Sequence, residues 1–405
     1  MPRTTAANRL GIAMFAVVTA VAVAVAGFIL LRHHGPASDE AVPGARIGGR
    51  TPGSLVSATW VHTIDPSVSR LHARVARLEY VSTDGNTGMR DVVSGTVFLP
   101  PGPPPHGGWR VIALGHGSTG VLRDCAPSLT TDLSGQAPQV ANLLGLGYAV
   151  TMTDYQGLGM PGVHPYLDSR TAGYNVIDSV RALRATFRGV SDHWLGYGGS
   201  QGGGAVWSAN EQAAVYAPEL DLVGTIAVAP VTDATGLILK AFTGTLSAEQ
   251  RAPLQWLLVS LGRLHPDLNL DNYRRGFAAR RWTVLSSCVG SEGAERARIT
   301  DKIGPTDLTP HTAAAAALLR NFVAAWALPQ RRLTAPMLVI YGAKDTVIDP
   351  AWTLHALVEA CRLGGDLEQH VDPNGTHAQL DPGDLPTWVA ARFAGAPAIN
   401  QCPKA

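Results

Sequence analysis

From Trp109 to Phe393 the chain alternates short apolar runs with helical ones, and this alternation restricts its fold more than any other feature. "WRVIALG", "YAVTMT", "HWLGYGG", "LDLVGTIAV", "PMLVIYG" and "DLEQHVD" have strand length, and most are too continuously apolar to keep a wet face. Between or after them stand "QVANLLGLG", "TAGYNVIDSVRALRAT", "GGAVWSANEQAAVYA", "AWTLHALVEACRLGG" and "DLPTWVAARFAG", which read as helices. Apolar strands separated by helices predict a mostly parallel sheet covered on both faces. Ahead of it, residues 72–82 and 91–100 flank the turn "TDGNTG" and predict an antiparallel hairpin.

Residues 231–329 interrupt this alternation. They hold "SAEQRAPLQWLLVSLGRLH", with Leu254, Leu257, Leu258 and Leu261 on one helical face, and a second helical run, "HTAAAAALLRNFVAAWAL". The interruption leaves one strand's end and returns to the next, which places it over the C-terminal edge of the sheet, where open α/β sheets bind ligands. A mainly helical cap or lid over 231–329 is expected, on a core made of 56–230 and 330–405.

Of the 405 residues, 46 % are hydrophobic and 16 % charged, so a large core is easily built. A net charge of +1 gives no footprint for nucleic acid. Arg3 and Arg9 precede an uncharged apolar stretch at 10–31, long enough to cross a bilayer and also suited to a secretory signal. Residues 1–32 are thus expected to export the chain, either cleaved or retained as an anchor that contacts the membrane. Residues 33–55 have linker composition. In an oxidising compartment Cys125, Cys288, Cys361 and Cys402 would form two disulfides, and their spacing resembles no metal site.

The chemistry centres on "GYGGSQGGG". A serine hydroxyl attacks a carbonyl only with a base to take its proton, an acid to orient that base, and donors for the oxyanion. Gly198-x-Ser200-x-Gly202 follows a strand and opens a helix, the context of a nucleophile elbow. In that arrangement the acid and then the base follow along the chain. Asp345, in the loop after "PMLVIYG", is the candidate acid. Asp349, next to Pro350, reads instead as a helix cap. His377 lies in the loop after the last strand and is the candidate base, while His370 falls inside that strand. The amide of Gln201 and that of Ser118 or Thr119, in "ALGHGSTG", are the candidate oxyanion donors, with Gly117 permitting close approach. His116 is expected to fix this loop. A Cys125–Cys288 bond would tie the loop to the cap.

The sequence resembles the secretory lipase family of the Candida antarctica lipase A type. The likeness rests on "GHGSTG", "DCAPS", "LLGLGYAVTMTDYQGLGMPGVHPYL", "GYGGSQGGGAVWSANEQAAVYAPELDLVGTIAVAPV", "VIYGAKDTVIDP" and "NGTHAQL". It implies an α/β-hydrolase fold with a helical cap, a Ser200–Asp345–His377 triad, and hydrolysis of small-molecule or lipid esters with no cofactor or metal. It also implies pairing of Cys125 with Cys288 and of Cys361 with Cys402. The yeast-type C-terminal flap has no counterpart here, so interfacial activation does not carry over. Acyl transfer to an alcohol through the same residues, and a non-catalytic binding module, are the alternatives to hydrolysis.

Overall fold

A computed structural model describes residues 40–403, and their body begins at Val42. The segment 10–31 and the linker up to residue 39 lie outside the described residues. Among the described residues no helix is long and apolar enough to cross a membrane.

The strands are β1 (Leu55–Trp60), β2 (Arg74–Thr83), β3 (Arg90–Leu99), β4 (Trp109–Gly115), β5 (Ala149–Thr153), β6 (Val190–Gly199), β7 (Asp221–Val228), β8 (Met337–Gly342) and β9 (Leu367–Asp372). They form one sheet in the order β1-β2-β3-β5-β4-β6-β7-β8-β9. The first three pairings are antiparallel and the rest parallel. This is the α/β-hydrolase architecture, and the hairpin stands where the sequence placed it, with Arg74 opposite Leu99 and Thr83 opposite Arg90.

Strand β1 has no signature in the sequence. A bulge between Leu55 and Ser57 shifts its register, so Leu55 and Ala58 both turn inward although three residues apart. That break hides the period of two by which half-buried strands are recognised. Val42, within the stretch of linker composition, is buried and donates its N–H to Ala58 O at 2.9 Å.

The helices are α1 (Pro66–Ser69), α2 (Ala137–Gly145), α3 (Ser169–Thr186), α4 (Gln201–Tyr216), α5 (Thr235–Thr243), α6 (Arg251–Leu264), α7 (Gly276–Arg280), α8 (Trp282–Ser286), α9 (Gly290–Ile299), α10 (Ala313–Ala324), α11 (Pro350–Arg362) and α12 (Leu385–Phe393). One side of the sheet packs on α3 and α4 through Val176, Val180, Leu183, Val206 and Trp207. The other packs on α2 and α12 through Val140, Leu143, Leu144 and Val389. Strands β5 and β8 are buried along their whole length, which explains their unbroken apolar sequence.

The chain between β7 and β8 is helical, α5 to α10, with its own apolar cluster. Leu254, Leu257, Leu258 and Leu261 of α6 are all buried in it, each worth roughly 1.5–3 kcal/mol of apolar burial. This segment is stitched to the sheet's loops. Cys125 is bonded to Cys288 across 163 residues of sequence, while the second disulfide, Cys361 to Cys402 across 41 residues, joins α11 to the residues after α12. Arg263 Nη1 donates to Val121 O at 2.9 Å, Ser247 Oγ to Thr346 O at 2.7 Å, and Gln250 Nε2 to Val347 O at 3.1 Å.

Candidate active site

Strand β6 ends at Gly199 and helix α4 starts at Gln201, leaving Ser200 alone to make the turn. Its φ of 56° and ψ of −120° lie outside the regions that L-residues favour, a strain of about 1–3 kcal/mol. The surroundings hold it there: Ser200 N donates to Val228 O at 2.9 Å, and Ser200 O accepts from Val231 N at 3.1 Å. The flanking glycines follow from crowding. A Cβ on Gly198 would lie 2.3 Å from Gly202 O, and one on Gly202 would lie 2.0 Å from Gly115 O.

The loops after β8 and β9 bring the other two groups to this serine. Lys344 N donates to Gly375 O at 2.9 Å, joining the loops at their bases. Asp372 then closes the second loop by accepting from Asn374 N at 2.9 Å and Asp381 N at 3.0 Å. As a result His377 Nε2 stands 3.0 Å from Ser200 Oγ, and His377 Nδ1 stands 2.8 Å from Asp345 Oδ2. The other carboxylate oxygen of Asp345 accepts from Val347 N at 2.8 Å and Ile348 N at 2.9 Å. The Asp345 side chain is 2 % exposed and that of His377 21 %, so the acid is sealed while the base is reachable.

The competitors stand elsewhere. Asp349 caps α11 by accepting from Ala351 N at 3.1 Å, and it pairs with Lys240 at 3.0 Å. His370 lies within β9 opposite Ile340. His116 is fully buried, and its Nδ1 donates to Gly117 O at 2.6 Å. Burial lowers its pKa, so it serves as a neutral fixture of the loop after β4.

That loop passes the serine at Gly117, where an added Cβ would lie 4.0 Å from Ser200 Cβ. The next hydroxyls are engaged: Ser118 Oγ is 2.6 Å from Tyr166 Oη, and Thr119 Oγ1 donates to Cys125 O at 2.8 Å. The Gln201 amide is the first of α4, one of the helix N–H groups that have no partner within the helix.

The composition of the site extends beyond what its motifs suggest. Gln201 is buried, and its side-chain Nε2 lies 3.0 Å from His164 Nε2. His164 Nδ1 faces Gln156 O at 2.9 Å and must donate to it, so its Nε2 is the acceptor for Gln201. Only "GVHPYL" in the resemblance touches this region, and nothing in its spacing marks a role. Burial pushes the His164 pKa down to about 3. Because this lies below the ordinary 6.5, the group's contribution to stability is complete above pH 6.5 and lost as pH falls toward 3. The whole gap is worth at most roughly 5 kcal/mol. Urea midpoints measured from pH 7 to pH 4 should therefore fall more steeply for the native protein than for His164→Gln.

The profile of the family described as secretory lipase matches residues 125–401. A Mycobacterium tuberculosis protein described as a probable inactive lipase is 28 % identical over 290 residues, which cover 68 % of this chain and 62 % of that protein's length. Among solved structures, Candida antarctica lipase A in its closed state is similar with a TM-score of 0.69 and 18 % identity, covering 91 % of this chain and 88 % of that one. The rice cell wall degrading esterase LipA of Xanthomonas oryzae follows at a TM-score of 0.67 and 19 % identity, covering 85 % and 98 %. The solved structures share the fold of this chain, and the profile match over most of the sequence shows that the chain belongs to the secretory lipase family.

Proposed function

We propose that the protein is a serine carboxylic-ester hydrolase working through Ser200, His377 and Asp345. The observation that carries this reading is the unbroken run of hydrogen bonds from Ser200 Oγ through both ring nitrogens of His377 to Asp345. His377 Nε2 removes the proton as Ser200 Oγ attacks the ester carbonyl, and the resulting imidazolium is stabilised by Asp345. The oxyanion is received by the amides of Gln201 and of Ser118 or Thr119, at the positive end of α4. His377 then protonates the departing alcohol. Water, activated by the same nitrogen, attacks the acyl-enzyme and frees the acid and Ser200. The two disulfides and the family fit an extracellular protein, with segment 10–31 directing export or tethering the chain.

The test uses oxidised full-length protein and its Ser200→Ala form. Both are assayed with p-nitrophenyl esters of two to sixteen acyl carbons and with a fluorophosphonate label. Hydrolysis and labelling that both require Ser200 are expected, and the optimum chain length separates esterase from lipase. Labelling without hydrolysis would point to acyl transfer onto an alcohol instead. A folded protein that does neither would be a non-catalytic module, as the name of the mycobacterial relative suggests for that protein.

A further inference from the structure

The loop and the helix start that would receive the oxyanion are separate in sequence, yet side chains from one short segment reach both. Tyr166 Oη is 2.6 Å from Ser118 Oγ in the loop after β4. Two residues earlier, His164 Nε2 accepts from the Gln201 side chain at 3.0 Å. All of these groups except Ser118 are buried, with His164 and Tyr166 each 1 % exposed.

The segment itself is held from three directions. On the core side, His164 Nδ1 donates to Gln156 O at 2.9 Å, and Gln156 Nε2 donates to Asp84 Oδ2 at 2.9 Å. On the cap side, Ser260 of α6 sits between the two residues: its Oγ donates to His164 O at 2.6 Å and accepts from Tyr166 N at 3.0 Å. Behind the tyrosine ring, Trp256 packs edge-on at 6.1 Å between centroids.

We propose that His164 and Tyr166 are positioning residues which fix the two halves of the oxyanion site relative to each other, with Ser260 locking them to the cap. This rests on the serine-hydrolase reading of Ser200. A ring held neutral by burial can fix Gln201 without changing state during turnover, and this is why a histidine here need not be a base. Besides burial, the charges of His116 and Arg263 oppose its protonation, and the rings packed against it are those of Tyr155 and Tyr166, at 6.1 and 6.0 Å between centroids. Misplacing a donor loop by a fraction of an ångström weakens its contact with the transition state more than with the ground state. The signature is therefore a loss in kcat with KM preserved.

The variants to measure are Tyr166→Phe, His164→Leu and His164→Gln, each with p-nitrophenyl butyrate, the fluorophosphonate label and a thermal melt. Tyr166→Phe should lower kcat about tenfold and His164→Leu ~10–100-fold, with KM within about twofold and labelling slowed in parallel. His164→Gln, which can still donate to Gln156 O and accept from Gln201, should recover most of the activity with an unchanged pH–rate profile. Unaltered kcat in Tyr166→Phe and His164→Leu, with only the melting temperature lowered, would overturn the proposal and leave a structural brace. Should His164→Leu fail to fold, Tyr166→Phe removes a single oxygen and decides alone. Native protein without Ser200-dependent hydrolysis would instead overturn the underlying reading, and the brace with it.

Discussion

Replacing Asp345 by asparagine is expected to lower kcat for ester hydrolysis by ~10⁴ while leaving KM and the fold nearly unchanged. The geometry dictates the direction of this effect. One oxygen of Asp345 accepts from Val347 N and Ile348 N, so an asparagine must keep its carbonyl oxygen there. Its NH2 group is then forced toward His377 Nδ1, which can only accept from it. The imidazole is driven into the tautomer with its proton on Nε2, facing Ser200 Oγ, where it has no lone pair to take the hydroxyl proton. Steady-state kinetics on Asp345→Asn and Asp349→Asn check this directly. The second carboxylate caps α11 and should leave kcat within about twofold. Equal losses in both would mean that the loop, and not the tautomer, is what matters.

Gly202→Ala is the change expected to damage the fold most. The new methyl would meet Gly115 O at 2.0 Å, Gly115 C at 2.4 Å and His116 O at 2.8 Å, all backbone atoms with no rotamer to move aside. Either α4 shifts away from β6 or β4 bends, and both displace Ser200 and the loop after β4. A cost of roughly 4 kcal/mol or more and a fall of about 5 °C in Tm are expected, read by calorimetry. Gly199→Ala is the control. Its methyl would meet Val228 O at 3.8 Å, an ordinary contact, and its Tm should stay within about 1 °C. Comparable destabilisation in both would show that the turn needs general flexibility instead of this one close approach.

What the sequence disclosed and what it hid follow from different physics. The strands β4 to β8 and the helices α2 to α4, α6, α10, α11 and α12 were legible from apolar runs and helical periodicity, while β9, half exposed at the sheet's edge, was read from its place in the alternation. Asp345 and His377 were legible because the elbow fixes where Ser200 stands and the sheet's edge fixes which loops can reach it. Strand β1 was hidden by a bulge that breaks its period. His164, Tyr166, Gln250 and Ser260 were hidden for another reason. They act through single hydrogen bonds between segments that lie 37 to 97 residues apart, and such contacts leave no pattern along the sequence. Ser118 and Thr119 were picked by position, and that their hydroxyls bond Tyr166 and Cys125 is something only the folded loop reveals.

The stitches between the helical segment and the sheet's loops carry one more consequence. Ser247 and Gln250 grip the loop of Asp345, while Cys288 and Arg263 grip the loop of Ser118. A roof fastened at opposite walls of a room cannot be lifted as a trapdoor without tearing both walls. Any displacement of the helical segment would therefore be passed on to the loops of Asp345 and Ser118.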